Sequence, residues 1–226
     1  MTSTDFDLSG KTALVTGGSR GIGYAAALCI AKAGAHVVAL ARTTGGLEEL
    51  DNEILAATGQ RATLVPLDIT DYDALDRLGE ALYQRFGKLD ILVGNAAQLH
   101  PLSPLGHIKP KEFERTVGVN LIANWRLLRS MDPLLRAAPK ALAIFMTDGI
   151  AHAPQAFWSG YAATKAGLEA MAKSYAAEVG HTNVRVELVD PGVTDTKLRR
   201  SVMPNADISN QPKENLLYPL LDKFFN

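Results

Sequence analysis

The chain has 226 residues, 47% hydrophobic and 21% charged, with a formal net charge of -1. That composition suits one globular α/β domain over residues 1–226, and near-neutral charge with a pI ≈ 6.5 leaves no electrostatic footprint for nucleic acid or an anionic membrane. The single cysteine, Cys29, excludes an internal disulfide and a cysteine-based metal cluster, and no apolar run approaches the ~20 residues of a membrane-spanning helix.

The first residues, MTSTDFDLSGK, carry acids and no apolar segment of a secretory signal, which predicts a cytoplasmic protein. Lys11 to Thr16 (KTALVT) is a short apolar run with β-branched residues, followed at once by the glycines of GGSRGIG. The alanine-rich segment after Gly23 predicts a helix ending at Gly34, and His36 to Ala41 (HVVALA) predicts a second buried strand. Strand, glycine turn, helix and strand make the opening βαβ unit of a nucleotide-binding fold. Gly17, Gly21 and Gly23 are the candidates for the tight turn and for close approach of a pyrophosphate. Free N–H groups of the helix amino terminus would face that pyrophosphate.

Alternation continues along the chain. Helices are expected at Glu48 to Thr58 and Tyr72 to Phe86, and strands at Ala62 to Leu67 and Leu89 to Val93. A loop dotted with Pro101, Pro104, Gly106 and Pro110 leads to a long helix, Lys111 to Leu135. Ala141 to Met146 and Val184 to Val189 predict the fifth and sixth strands, with a helix bearing Tyr161 between them. The pattern predicts a doubly wound parallel sheet covered by helices on both faces. In such a sheet the residues just after each strand gather at one edge. Here these are Gly17 to Gly23, Asp68, Asn95, Thr147-Asp148 and Pro191-Gly192.

Tyr161 and Lys165 are spaced to share one helix face. A free phenol titrates near ~10 and moves protons poorly at neutral pH. A neighbouring ammonium favours the phenolate and brings it toward the working range. Such a pair serves proton exchange with an alcohol oxygen.

Thr16-Gly17-x-x-x-Gly21-Ile22-Gly23 together with Tyr161-x-x-x-Lys165 resembles the short-chain dehydrogenase/reductase family, over about Leu8 to Thr196. Asp68, Asn95-Ala96, Asn120 within VGVNL, and Pro191-Gly192-x-x-x-Thr196 extend the match. The resemblance implies a single-domain, Rossmann-like fold and hydride exchange between a nicotinamide cofactor and a carbonyl or alcohol. It makes Tyr161 the general acid or base. Lys165 would hold the nicotinamide ribose and lower the phenol's pKa, and Asn120 would hold a water of a proton relay. Asp68 and Ile69 would flank the adenine, and Asn95 and Ala96 would border the cofactor. Ser19, Arg20 and Ile22 belong to the glycine turn, and Val193 and Thr194 would meet the carboxamide. Arg42, where an acid would select NAD(H), joins Arg20 in favouring the 2'-phosphate of NADP(H).

The pattern breaks at Asp148, which stands where the family places a serine that orients the substrate. An ionised aspartate donates no hydrogen bond, repels an oxyanion and raises the tyrosine's pKa. Three readings stay open: a protonated Asp148 that donates, an Asp148 that binds a cationic or polyhydroxyl substrate group, and a chain that binds NADP(H) with little turnover. In the second, Thr147 or Ser159 supplies the hydroxyl, although a regular strand turns Thr147 to its other side. Ala97 replaces a glycine of the family's usual N-A-G.

The tail, residues 196–226, is expected to be a flexible substrate loop with a terminal helix, Pro212 to Phe225, and without the family's usual seventh strand. A homodimer is therefore favoured over a tetramer. Lys197, Arg199 and Arg200 read as a solvated basic face, and Asn205 to Gln211 as a segment closing over the cofactor. His152, Phe157 and Trp158 flank the substrate mouth, as an aromatic wall or as loop packing. His100 and His107 lack metal-binding spacing, and no metal is expected.

Overall fold

The structure, a computed structural model, describes residues 6–205 and 216–226. Strand β1 (Thr12–Thr16), helix α1 (Gly21–Lys32) and β2 (His36–Ala41) form the opening unit. It is followed by α2 (Thr44–Thr58), β3 (Thr63–Pro66), α3 (Tyr72–Phe86) and β4 (Ile91–Gly94). Helices α4 (Pro110–Val117) and α5 (Ala123–Ala137) lead to β5 (Ala141–Met146). Helix α6 (Ser159–Val179) leads to β6 (Val184–Val189), and the short α7 (Lys197–Arg200) and α8 (Tyr218–Phe225) come last.

The six strands form one sheet in the order β3-β2-β1-β4-β5-β6, and every neighbouring pair is parallel. Strand side chains alternate between faces. Val15, Val37 and Ile144 pack toward α1 and α2, while Leu14, Val38 and Phe145 pack toward α3, α5 and α6. Both faces of the central strands are covered, so β1, β4 and β5 read as apolar runs, whereas the edge strand β6 (VRVELV) carries Arg185 and Glu187. Strand order reverses between β1 and β4, which opens a crevice at their carboxyl ends.

Two elements depart from the sequence expectation. Helix α2 starts at Thr44, ahead of the expected Glu48, and takes in Gly45 and Gly46. Packing outweighs their poor helix propensity, because a side chain at position 46 would meet the Ser19 carbonyl at 2.6 Å. The long helix from Lys111 is divided by a π-helical turn, Gly118–Ile122, which carries Asn120. Such turns add a residue to the helix and re-aim side chains at functional sites.

At its far end the tail carries a helix, as expected, over Tyr218–Phe225. Leu217 and Leu221 are buried against the β1–α1 core, and Lys11 and Lys140 lie over the Phe225 ring. Apart from Asn205, the expected closing segment lies outside the described residues, as does the first part of the expected terminal helix. No described helix is long and apolar enough to cross a membrane.

Candidate active site

The cleft at the β1–β4 switch point begins at the glycine turn. Gly17 and Gly21 have φ of 71° and 61°, a region that disfavours any side chain. Asn95 donates its Nδ2–H to the Thr16 carbonyl at 2.9 Å and its backbone N–H to Thr16 Oγ1, tying the ends of β1 and β4 together. A Cβ at Gly17 would lie 2.7 Å from Asn95 Nδ2, and one at Gly23 would overlap that amide and the Gly17 carbonyl. Gly17 and Gly23 thus also make room for Asn95, beside the tight turn that the φ of Gly17 serves. Gly17 and Gly21 line the cleft, and a Cβ added at Gly21 would lie 3.5 Å from Thr196 Cγ2. Helix α1 has no side-chain cap at Arg20 and no acid in its first turn. Its leading N–H groups therefore lack a side-chain acceptor, as a phosphate site requires.

Arg20, Ile22, Ser19, Arg42, Asp68 and Ile69 line the same cleft. Arg42 Nη1 lies 3.6 Å from Asp68 Oδ2, and the guanidinium is half exposed. Burial would raise the Asp68 carboxyl, but the Thr70 N–H and hydroxyl, with Arg42, hold it below the usual range. Arg20 enters no ion pair among the described residues. The Thr43 side chain makes no cap bond to α2, which leaves a hydroxyl beside Arg42.

At the other end of the cleft stand Tyr161, Lys165 and Asp148. Both members of the helix pair are buried, and Lys165 Nζ donates to the Met146 carbonyl at 2.7 Å. Burial pulls Lys165 down to about 8, against the pull of Asp148 and Asp190. The Tyr161 hydroxyl is 3.5 Å from Asp148 Oδ2, long for an O–H···O bond. Burial first, and then the Asp148 charge, push the phenol above its usual value, and only Arg199 acts to lower it. Lys165, expected to lower it, sits 5.6 Å from the ring centroid with its ammonium held by Met146. The other Asp148 oxygen accepts from the Ile150 N–H at 3.0 Å and caps the turn Gly149–Ala151.

Asn120 is buried behind this group rather than lining it. Its side chain donates to the Gln98 carbonyl and Thr164 Oγ1 and accepts from the Gln98 N–H, so both of its N–H groups are committed. Its backbone carbonyl accepts from Asn124 Nδ2 at 2.9 Å. Pro191, Gly192, Thr194 and Ala96 border the cleft, whereas Gly23 and Val193 do not.

The hydroxyl alternatives to a serine are both occupied elsewhere or turned away. Thr147 Oγ1 donates to the buried Glu169 at 2.6 Å. Ser159 Oγ is buried without a partner and lies off the cleft wall. Glu169 also holds Lys173 and His152 at 2.9 and 3.0 Å, which ties the loop before α6 to the helix. Among the three mouth residues only Trp158 lines the cleft, its ring 6.1 Å from that of Tyr161.

Arg199 is the residue that sequence reading missed. Its sequence context groups it with Lys197 and Arg200 as a solvated face, yet it lines the cleft, half-buried, with its Nε buried and unpartnered. A K-L-R-R run carries no signal to single it out, because the distinction comes from how α7 docks.

Comparison with known proteins agrees with this architecture. A family model described as short chain dehydrogenase matches residues 11–207. The chain is 32% identical over 209 residues to the short chain dehydrogenase/reductase astE of Aspergillus oryzae, covering 91% of this chain and 79% of that protein. It is also 32% identical to a benzil reductase ((S)-benzoin forming) of Saccharomyces cerevisiae, over 85% of this chain and 75% of the relative. A short chain dehydrogenase from Escherichia coli CFT073, solved with NADPH, superposes with a TM-score of 0.92 at 27% identity, over 99% of this chain and 93% of that one. The chain therefore belongs to the short chain dehydrogenase family of oxidoreductases.

Proposed function

We propose that this chain is an NADP(H)-dependent oxidoreductase that interconverts a small-molecule carbonyl and alcohol, with Tyr161 as the proton carrier. The observation that carries the reading is one continuous cleft with an uncapped glycine turn and two arginines at one end, and a buried Tyr161–Lys165 pair at the other. The cofactor, when bound, supplies or accepts the hydride. Every other task falls to the chain. Gly21 and the α1 amino terminus bind phosphate through backbone N–H groups. Arg42 and Arg20 take the 2'-phosphate, and Asp68 and Ile69 border the adenine. Tyr161 holds the proton at Oη, and Lys165 holds a positive charge beside it, backed by the Met146 carbonyl. Trp158 shields this end from water.

The direct test follows NADPH absorbance across ketones, aldehydes and quinones, with NADPH binding measured separately by fluorescence. Binding with no turnover across the panel would favour a second reading, an NADP(H)-binding sensor. That reading draws on the Asp148 carboxylate, which opposes the phenolate. Arg42→Ala is expected to weaken NADPH at least tenfold while changing NADH less than threefold, since a charged hydrogen bond is worth about 1.5–3 kcal/mol. Equal losses for both cofactors would remove Arg42 from 2'-phosphate recognition.

Exposed Ile122 and Trp125 beside α6 support a homodimer through the α5–α6 face. Sedimentation velocity at micromolar concentration is expected to give a dimer that Trp125→Glu converts to monomer, and a monomeric wild type would end this assignment.

A further inference from the structure

Helix α7 is placed over the cleft by its amino-terminal cap, Thr196. Thr196 Oγ1 accepts from the Arg199 N–H at 3.1 Å, and the Thr196 methyl rests over Gly21. The three basic residues of this segment then meet different fates. Arg200 is held by Asp195 through two bonds, at 2.5 and 2.9 Å, and Lys197 is exposed. Arg199 turns into the cleft, where its Nε–H is buried without an acceptor. It forms no ion pair among the described residues, although Asp148 lines the same cleft. Asp148 is committed to the Ile150 N–H and faces Tyr161, and Asp190 accepts from the Gly192 N–H.

A buried guanidinium N–H left unmade is costly, and a planar fork is best satisfied by a carboxylate or phosphate. The same cleft lacks the neutral hydroxyl donor that would orient a plain carbonyl, because Asp148 occupies that position and Thr147 and Ser159 are not available to it. The substrate then needs another anchor near Tyr161. Arg199 and Tyr161 line the same cleft, and the guanidinium charge acts to lower the phenol's pKa.

We propose that Arg199 is an anion-recognition residue of this site, taking a carboxylate carried by the substrate next to the carbonyl or alcohol that Tyr161 serves. The proposal rests on the oxidoreductase reading for the word substrate, but not for the anion site itself. A 2-oxo or 2-hydroxy acid is the simplest chemistry that fits: one end is clamped by the guanidinium and the oxygen at the neighbouring carbon points to Tyr161. Asp148, which accepts but does not donate, excludes a second anionic group on its side and suits hydroxyl or ammonium donors there.

The experiment uses the full chain as its NADPH complex. Benzoate and benzamide, close in shape and different in charge, are titrated calorimetrically into wild type, Arg199→Gln and Arg199→Lys, with melting temperatures recorded to verify folding. Wild type is expected to bind benzoate at least tenfold more tightly than benzamide, Arg199→Gln to lose the preference, and Arg199→Lys to keep part of it. In parallel, the kcat/KM ratio for benzoylformate over its methyl ester is expected to fall about 50-fold in Arg199→Gln, mostly through KM. NADPH affinity should stay within twofold. A tenfold loss of NADPH affinity in Arg199→Gln would instead assign the guanidinium to the cofactor's phosphates and overturn the proposal. So would a wild type without preference for benzoate, or a preference unchanged by Arg199→Gln. Benzoate preference that depends on Arg199 in a protein without turnover would support the anion site and remove only the oxidoreductase reading.

Discussion

Tyr161→Phe is expected to lower turnover about 100- to 10,000-fold, the range that a positioned general acid or base contributes, while NADPH affinity stays within twofold. The substitution removes one oxygen and leaves the ring in its place against Trp158, 6.1 Å away, so packing of α6 is preserved. Steady-state rates with NADPH and the best substrate of the panel, beside a fluorescence titration of NADPH, separate chemistry from binding. A variant as active as wild type would sink the proton-carrier role.

The electrostatics add a pH signature. Burial and Asp148 hold the phenol above its usual value, so the protonated form prevails at neutral pH. Reduction of a carbonyl uses that form and is expected to be flat through neutrality. Alcohol oxidation needs the deprotonated form and is expected to rise with pH. Lys165, pulled down to about 8 by burial, begins to lose its charge over the same range, and the rise in oxidation should flatten there.

Asp148→Ser is expected to raise kcat/KM on simple ketones and aldehydes by about 100-fold, since one donor in such a site is worth about 2.7–4 kcal/mol. Two effects act together. The change removes the carboxylate 3.5 Å from the Tyr161 hydroxyl, which lets the phenol's pKa fall, and it supplies a hydroxyl that can donate. Serine also caps a turn nearly as well as aspartate, so the bond now made to the Ile150 N–H has a replacement. Asp148→Asn distinguishes the two effects, because it removes the charge and keeps the shape. A drop in activity for Asp148→Ser would show that the aspartate itself holds part of the substrate, and the pH profile for oxidation should in any case move to lower pH in both variants.

Much of this molecule was legible from the chain alone. Apolar runs located β2 and β5 to the residue, because strands covered on both faces admit no polar interruption, and the alternation of VRVELV located the edge strand β6. Helix α3 was likewise bounded correctly, with Asp71 as its cap and Gly87 as its left-handed stop. The lining of the cleft by Gly21, Arg42, Asp68, Asn95, Asp148, Tyr161 and Lys165 followed from topology, since parallel strands deliver all their carboxyl ends to one edge.

What the chain could not reveal depends on contacts between distant segments. The π-helical turn at Asn120 exists because its side chain reaches back to Gln98 and across to Thr164, and no local propensity records that. A further reason for glycine at 17 and 23 is Asn95, more than seventy residues away. Spacing alone made Lys165 the group that tunes Tyr161, yet the Met146 carbonyl holds the ammonium while burial and Asp148 set the phenol. Arg199 shows the same limit most plainly. Composition makes it one of three cations on a solvated face, and only the docking of α7 through Thr196 over Gly21 turns its guanidinium into the cleft. Sequence pattern therefore decided the fold and the edge where chemistry gathers, because periodicity and strand ends are local properties. Tertiary structure decided which charges face the reacting oxygen, because burial and distance depend on the packed chain.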